Sequence, residues 1–211
     1  MAGGTPTGDT VTNVRKEREA DRAQRLRRRV LASCITPDVL ETRGSMGRAF
    51  DRVWHHARSG VVFEESETLS ASLARARPHW SVYQGDAVRA LAGGFAKDRP
   101  FDVVDVDVEG RALAMLDALF RPGRTFAPVV QVVVRDAGRL KAANTKGIAL
   151  ARVTQIIGRH GGRLADVYLQ AMRECIEAFG AALGYQLTFF DGWHCGNRNA
   201  LSDYWATLKK T

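Results

Sequence analysis

Residues 101–134 read FDVVDVDVEGRALAMLDALFRPGRTFAPVVQVVV. Two apolar runs, Phe101–Asp107 and Phe126–Val134, flank a segment with helical spacing, Leu113–Phe120. The second run is apolar but for Gln131, as expected of a central strand buried on both faces of a parallel sheet. Strand, helix, strand is the unit from which parallel sheets are built.

The same alternation continues on both sides. Upstream, Asp38–Glu41, Gly60–Glu64 and Ser81–Gln84 read as strands. Helical segments at Arg48–Arg58, Ser66–Arg77 and Ala87–Leu91 separate them. Downstream, Leu164–Leu183 carries Val167, Leu169, Met172, Ile176 and Phe179 as one face of a long amphipathic helix. Tyr185–Trp193 and Leu201–Leu208 close the chain as strands, and the short Gly196–Asn199 link makes them antiparallel neighbours. Residues 1–13 read as a disordered tail, and residues 14–33 as a basic helix anchored by Val14, Leu26, Val30 and Leu31. The expected organisation is therefore a tail and basic helix over 1–33 and one α/β domain over 34–211. That domain is a Rossmann-like, mostly parallel seven-stranded sheet with a C-terminal antiparallel hairpin and helices on both faces.

The chain has 211 residues and a formal net charge of +8. The charge is concentrated. Residues 15–29 hold eight basic and three acidic residues, and residues 135–163 hold seven basic residues against Asp136. Two basic islands on a near-neutral body are the pattern of a polyanion-binding surface, with a solvated arginine-rich face as the plain alternative. No apolar run is long enough to span a membrane. Cys34, Cys175 and Cys195 are odd in number and form no C-x-x-C pair, which argues against a disulfide framework or a cysteine zinc site and predicts a reducing, cytoplasmic setting. No metal site is expected.

Ligands of open α/β sheets bind at the carboxyl ends of the strands, so those ends carry the functional reading. The first ends in Glu41-Thr-Arg-Gly44-Ser45-Met-Gly47, where small residues let backbone N–H groups approach a ligand. The second ends in Glu64-Glu65, the position at which a carboxylate grips a ribose diol, or lies solvated at a helix start. The third ends in Gly85-Asp86-Ala87, where Asp86 would accept from an adenine amine, cap the next helix, or both. The fourth ends in Asp105-Val-Asp107-Val-Glu109-Gly110, with three carboxylates on one face of the strand. Buried beside a cleft, such groups must be paired or used, which makes this the candidate catalytic edge. His194 and Cys195 invite a nucleophile or metal reading, but a lone pair of this kind is more often structural.

The set ETRGSMG, VVFEES, VYQGDA and FDVVDVDVEG, followed by a hairpin, resembles the class I S-adenosylmethionine-dependent methyltransferases over about residues 37–208. The GDA and FDVVDVD portions are most similar to tRNA guanine-N2 dimethyltransferases. The resemblance implies S-adenosylmethionine as cofactor. Glu41, Gly44, Ser45 and Gly47 would then cradle its methionine part, and Glu64 would hold the ribose. Asp86, between Gly85 and Ala87, would meet the adenine, while Asp105 and Asp107 would face the methyl-transfer centre, with Asp107 accepting from the acceptor group. The sequence departs from the family at Arg43 and Ser45, where glycines are usual. It departs again at Val108-Glu109, where base amino-methylases carry a proline and an aromatic that stacks on the flipped base. Trp193 or Phe190 would have to supply that face instead.

The expected function is methyl transfer to a nucleic acid, RNA or DNA. Arg135, Arg139, Lys141, Lys146, Arg152 and Arg159 would grip phosphates at the ligand edge, with Arg25, Arg27, Arg28 and Arg29 extending the grip. Two alternatives stand beside it: a methyltransferase-like nucleic-acid-binding protein without catalysis, and a methyltransferase for a small molecule or protein. The absence of G-x-G-x-x-G and of G-x-x-x-x-G-K-[ST] weighs against dinucleotides and nucleoside triphosphates.

Overall fold

The computed structural model describes residues 24–34, 36–44, 48–108, 110–139, 154–160, 164–196 and 199–211. Among them, seven strands form one sheet: β1 (Asp38–Glu41), β2 (Ser59–Glu64), β3 (Trp80–Gln84), β4 (Phe101–Val108), β5 (Phe126–Asp136), β6 (Tyr185–Cys195) and β7 (Leu201–Lys210). The order across the sheet is β3-β2-β1-β4-β5-β7-β6. The pairs β1–β2, β2–β3, β1–β4 and β4–β5 are parallel, whereas β7 lies between β5 and β6 and is antiparallel to both. The order reverses between β1 and β4, which is where such a sheet opens a crevice for ligands.

The helices are α1 (residues 24–33), α2 (Arg48–Arg52), α3 (Glu67–Ala76), α4 (Ala87–Ala92), α5 (Ala112–Leu119), α6 (Thr154–His160) and α7 (Tyr168–Ala181). Caps set two of the starts. Ser66 Oγ accepts from the Leu69 N–H at 3.4 Å and Asp86 Oδ1 from the Arg89 N–H at 3.0 Å. The single helix expected over Arg48–Arg58 is shorter: α2 ends at Arg52, and a 3-10 turn over Trp54–His56 carries the Trp54 indole into the core. The long helix expected over Leu164–Leu183 occupies Tyr168–Ala181, and Leu164 is buried in the turn before it.

Alternation along each strand divides the core into two layers. Leu40, Val61, Phe63, Val104, Val106, Val132, Val134, Tyr204, Ala206 and Leu208 face one layer, built with α4, α5, α6 and α7. Val39, Val62, Val103 and Val133 face the other, closed by Leu26 and Val30 of α1 with Val53, Trp54 and Leu73. The basic helix thus packs into the same core as the sheet: Leu26 and Val30 are 2 % and 0 % exposed. Parity along the strands places Glu41, Glu64, Asp105 and Asp107 on the α1 side of the sheet.

Candidate functional site

The carboxyl ends of β1 to β4 and the starts of α4 and α5 enclose a cleft of about 310 Å³. Thr42 and Arg43 contribute from the end of β1, Phe63, Glu64 and Glu65 from β2, and Gly85 and Ala87 from the β3–α4 turn. Asp107, Arg111 and Met115 come from β4 and α5. Thr42 ties the two central strands together: its N–H donates to the Asp105 carbonyl at 2.9 Å, and its Oγ1 accepts from the Asp107 N–H at 3.3 Å.

Glu64 is nearly buried, yet lines the cleft. Its Oε1 accepts from the Ser66 N–H at 3.0 Å, which fixes the carboxylate against its own turn. Gly44 packs beside it. A side chain there would collide with Leu73 Cδ1 and press on Glu64 Oε2, and the Gly44 N–H donates to the Phe63 carbonyl at 2.9 Å. Gly85 has φ +146°, and the space where a side chain would project is open. Asp107 is partly exposed. Burial raises its pKa above the ordinary carboxylate range, opposed by Arg27, whose guanidinium lies 3.9 Å away.

Several residues expected at the cofactor are placed otherwise. Glu41 is 1 % exposed and receives a 2.6 Å hydrogen bond from the Arg77 guanidinium, which itself lies over the Phe50 ring at 4.4 Å. Asp105 is equally buried and accepts from Arg27 Nε and Nη2 at 2.6 and 2.7 Å and from Trp54 Nε1 at 2.6 Å. Neither lines the cleft. A buried carboxylate must be paired, and in both cases an arginine from a distant segment supplies the partner. Asp86 caps α4 and accepts from Arg111 at 2.9 Å, contacts that lower its pKa, the cap first. Arg111 also reaches Glu65 at 3.3 Å, so it bridges the ends of β2 and β3. Sequence reading missed Arg111 and Thr42, and no local pattern marks either. Ser45 and Gly47 lie outside the described residues.

The expected phosphate contacts divide in the same way. Arg25, Arg28 and Arg29 are exposed on α1, whereas Arg27 is 2 % exposed and turned inward to Asp105, so it cannot meet a phosphate. Arg135 lies 3.7 Å from Asp203, Arg139 donates to the Ala165 and Asn199 carbonyls, and Arg159 pairs with Glu174 at 3.1 Å. Lys141, Lys146 and Arg152 lie outside the described residues. His194 and Cys195 bind across the hairpin to Ser202 Oγ and Asp203 Oδ2, at 2.9 and 3.3 Å. Phe190 stacks on Tyr204 on the α7 side of the sheet, opposite to Trp193.

This strand order, with the antiparallel β7 inserted beside β5 and the crevice at the β1–β4 reversal, is the fold of class I S-adenosylmethionine-dependent methyltransferases. Solved structures share it. TYW2 of M. jannaschii, in complex with AdoMet, superposes with a TM-score of 0.58 at 11% identity, over 92% of this chain and 75% of that one. The N-methyltransferase NodS of Bradyrhizobium japonicum, in complex with S-adenosyl-L-homocysteine, gives 0.57 at 14% identity, over 91% and 87%. The plantazolicin methyltransferase BamL, bound to a triazolic desmethylPZN analog and SAH, gives 0.56 at 13%, over 98% and 92%. No protein-family model matches the sequence, and no curated protein matches it significantly.

Proposed function

We propose that this protein is an S-adenosylmethionine-dependent methyltransferase whose acceptor is a nucleic acid. The observation that carries the reading is Glu64: a carboxylate held at the end of β2, in the crevice at the carboxyl ends of the strands, with Gly85 of the next turn leaving open space in the same cleft. The donor set fits the cofactor. Phe63, Ala87 and Met115 offer apolar surface, Glu64 offers acceptor capacity for ribose hydroxyls, and Arg43 offers a cation for a carboxylate.

When bound, the cofactor supplies an electrophilic methyl group on a sulfonium. The chain's own residues hold and align. Glu64 accepts hydrogen bonds from the diol, and Asp107 accepts one from the acceptor nucleophile as it reacts. Burial raises the pKa of Asp107, the direction that suits a carboxylate accepting a proton from the acceptor. Asp105 works from behind, through the arginine it shares with Asp107. Support for a nucleic-acid acceptor comes from the net charge of +8 and from the three exposed arginines of α1.

Calorimetric titration with S-adenosylmethionine tests the reading. Saturable binding by the wild type, lost in Glu64→Ala with the fold retained, is the expected result. No binding at millimolar cofactor by folded protein would overturn it and favour the non-catalytic scaffold.

A further inference from the structure

On the α1 side of the sheet the residues of β1, β2 and β4 are buried in the core, whereas those of β6 and β7 are partly open, with Trp193 and Trp205 half-buried at the core's edge. Register and parity place Phe189, Asp191 and Trp193 of β6, Trp205, Thr207 and Lys209 of β7, and Val129 of β5 together on this open part. The irregularity between Leu187 and Phe189 is what turns Phe189 outward: Leu187 packs on the α7 layer, and after the shift the odd-numbered residues face the other way. Phe189 and Val129 are each 42 % exposed, so two of the three large exposed hydrophobic side chains among the described residues fall on one patch. Phe189 rests on the Trp205 ring at 4.6 Å between centroids. Trp205 is held by Gln131, whose Oε1 accepts from its Nε1 at 2.6 Å and from Thr207 Oγ1 at 2.7 Å. These hydrogen bonds fix the orientation of the Trp205 ring on the patch.

The patch is bordered by cations. At one end Arg25 and Arg29 of α1 line a groove with Trp193 and Asp191, and at the other Lys209 is exposed beside Val129. Neither arginine forms an ion pair among the described residues. The patch is also in line with the cleft. Asp107, Arg135, Asp203 and Trp193 occupy one row across β4, β5, β7 and β6. Trp193 therefore stands three strand spacings from Asp107, about 14 Å.

We propose that this face is a docking surface for single-stranded RNA, whose bases stack on Phe189 and the Trp205–Trp193 side while Arg25, Arg29 and Lys209 hold its phosphates. Flat rings between cations are how sequence-tolerant single-strand binding is built, because every base has a π-face and every linkage a charge. RNA is the nucleic acid that presents unpaired bases in loops and ends. The positive border repels a second copy of this basic chain and attracts a polyanion. The surface lies outside the cofactor cleft and stands independently of the cofactor reading.

The test is titration of the full chain with a fluorescein-labelled single-stranded RNA 12-mer and with the same sequence as a duplex. Anisotropy and intrinsic tryptophan fluorescence are followed together. Trp54 and Trp80 are 0 % and 8 % exposed, so quenching by stacked bases reports on Trp193 and Trp205. The single strand is expected to bind with quenching and ahead of the duplex. Phe189→Ala, an exposed position that leaves the fold intact, should weaken it about tenfold. The double variant R25E/R29E should weaken it and flatten its salt dependence. S-adenosylmethionine binding, measured calorimetrically in the same variants, should be unchanged. Binding without quenching that survives Phe189→Ala overturns the proposal, as does preference for the duplex. A wild-type dimer in sedimentation that Phe189→Ala dissociates also overturns it, and assigns the face to self-association. Loss of cofactor binding in Glu64→Ala leaves this surface untouched, so the two readings fail separately.

Discussion

Arg27 of α1 donates two hydrogen bonds to Asp105 of β4, at 2.6 and 2.7 Å, and both side chains are almost fully buried. The pair joins residues 78 apart in the chain and clamps the basic helix onto the strand that carries Asp107. Because Arg27 also stands 3.9 Å from Asp107, one guanidinium both closes the core and biases the carboxylate at the cleft. Arg27→Ala leaves Asp105 buried with only the Trp54 indole as partner. A loss of about 3–5 kcal/mol in unfolding free energy is expected, measured by urea denaturation. A loss below 1 kcal/mol, on the order of a surface pair, would refute the buried clamp.

Glu41 gives the protein a pH dependence of defined sign. Burial pushes its carboxyl up to about 8, against the attraction of Arg77. In the unfolded chain the same group titrates near 4.3, as a rough reference value. Below that pH both states hold the proton, and the stabilising contribution is complete. As pH rises toward 8 only the folded state keeps it, so the contribution is lost across this window. Glu41→Gln cannot ionise, and its unfolding free energy should fall less steeply between about pH 5 and pH 8 than that of the wild type. Parallel slopes would contradict the assignment.

Arg111 is expected to matter to the cleft and not to the fold. Its pairs with Asp86 and Glu65 are exposed, so Arg111→Ala should change stability by less than about 1 kcal/mol. Removing it frees Asp86 Oδ2 and opens the mouth between β2 and β3. Stopped-flow mixing with S-adenosylmethionine should then show a faster association rate constant. A fall in affinity through faster dissociation would make Arg111 a ligand-holding group instead.

Tyr168 at the start of α7 donates its hydroxyl to Asp136 at the end of β5, and the carboxylate also accepts from the Gly138 N–H at 2.8 Å. Both side chains are buried. Tyr168→Phe removes the hydroxyl without changing the packing. It should destabilise the protein by about 1–3 kcal/mol, read from thermal or chemical unfolding.

The readable part of the site was the part whose geometry is local. Glu64 sits where a strand-end carboxylate was expected, because the turn that holds it is made by Ser66 two residues on. Asp86 was readable as a cap for the same reason: its acceptor role toward Arg89 needs only three residues of chain. Asp105 and Glu41 looked equivalent to these, with acidic side chains at the ends of apolar runs. Their partners, Arg27 and Arg77, are 78 and 36 residues away, and nothing in either stretch marks the match. The inward turn of Arg27 is hidden in the sequence for the complementary reason. Within a run of charged residues the sequence cannot distinguish the arginine on the inner face from Arg25, Arg28 and Arg29 on the outer one.

The sequence by itself determined the alternation of strands and helices, the antiparallel hairpin at the C-terminus and the strand ends at which to look for chemistry. Those follow from periods of 2 and 3.6 residues and from short turns, which are properties of contiguous chain. Only the tertiary structure decided which strand-end carboxylates face the cleft and which are sealed into the core. It alone brought Arg111 from the start of α5 to the ends of β2 and β3, set Trp193 beside Arg25 and Arg29, and laid Phe189 on Trp205. Each of these depends on the order β3-β2-β1-β4-β5-β7-β6 and on a one-residue shift in β6. Such choices are made by burial and pairing between segments far apart in the chain, where a single residue of register exchanges the two faces of a strand.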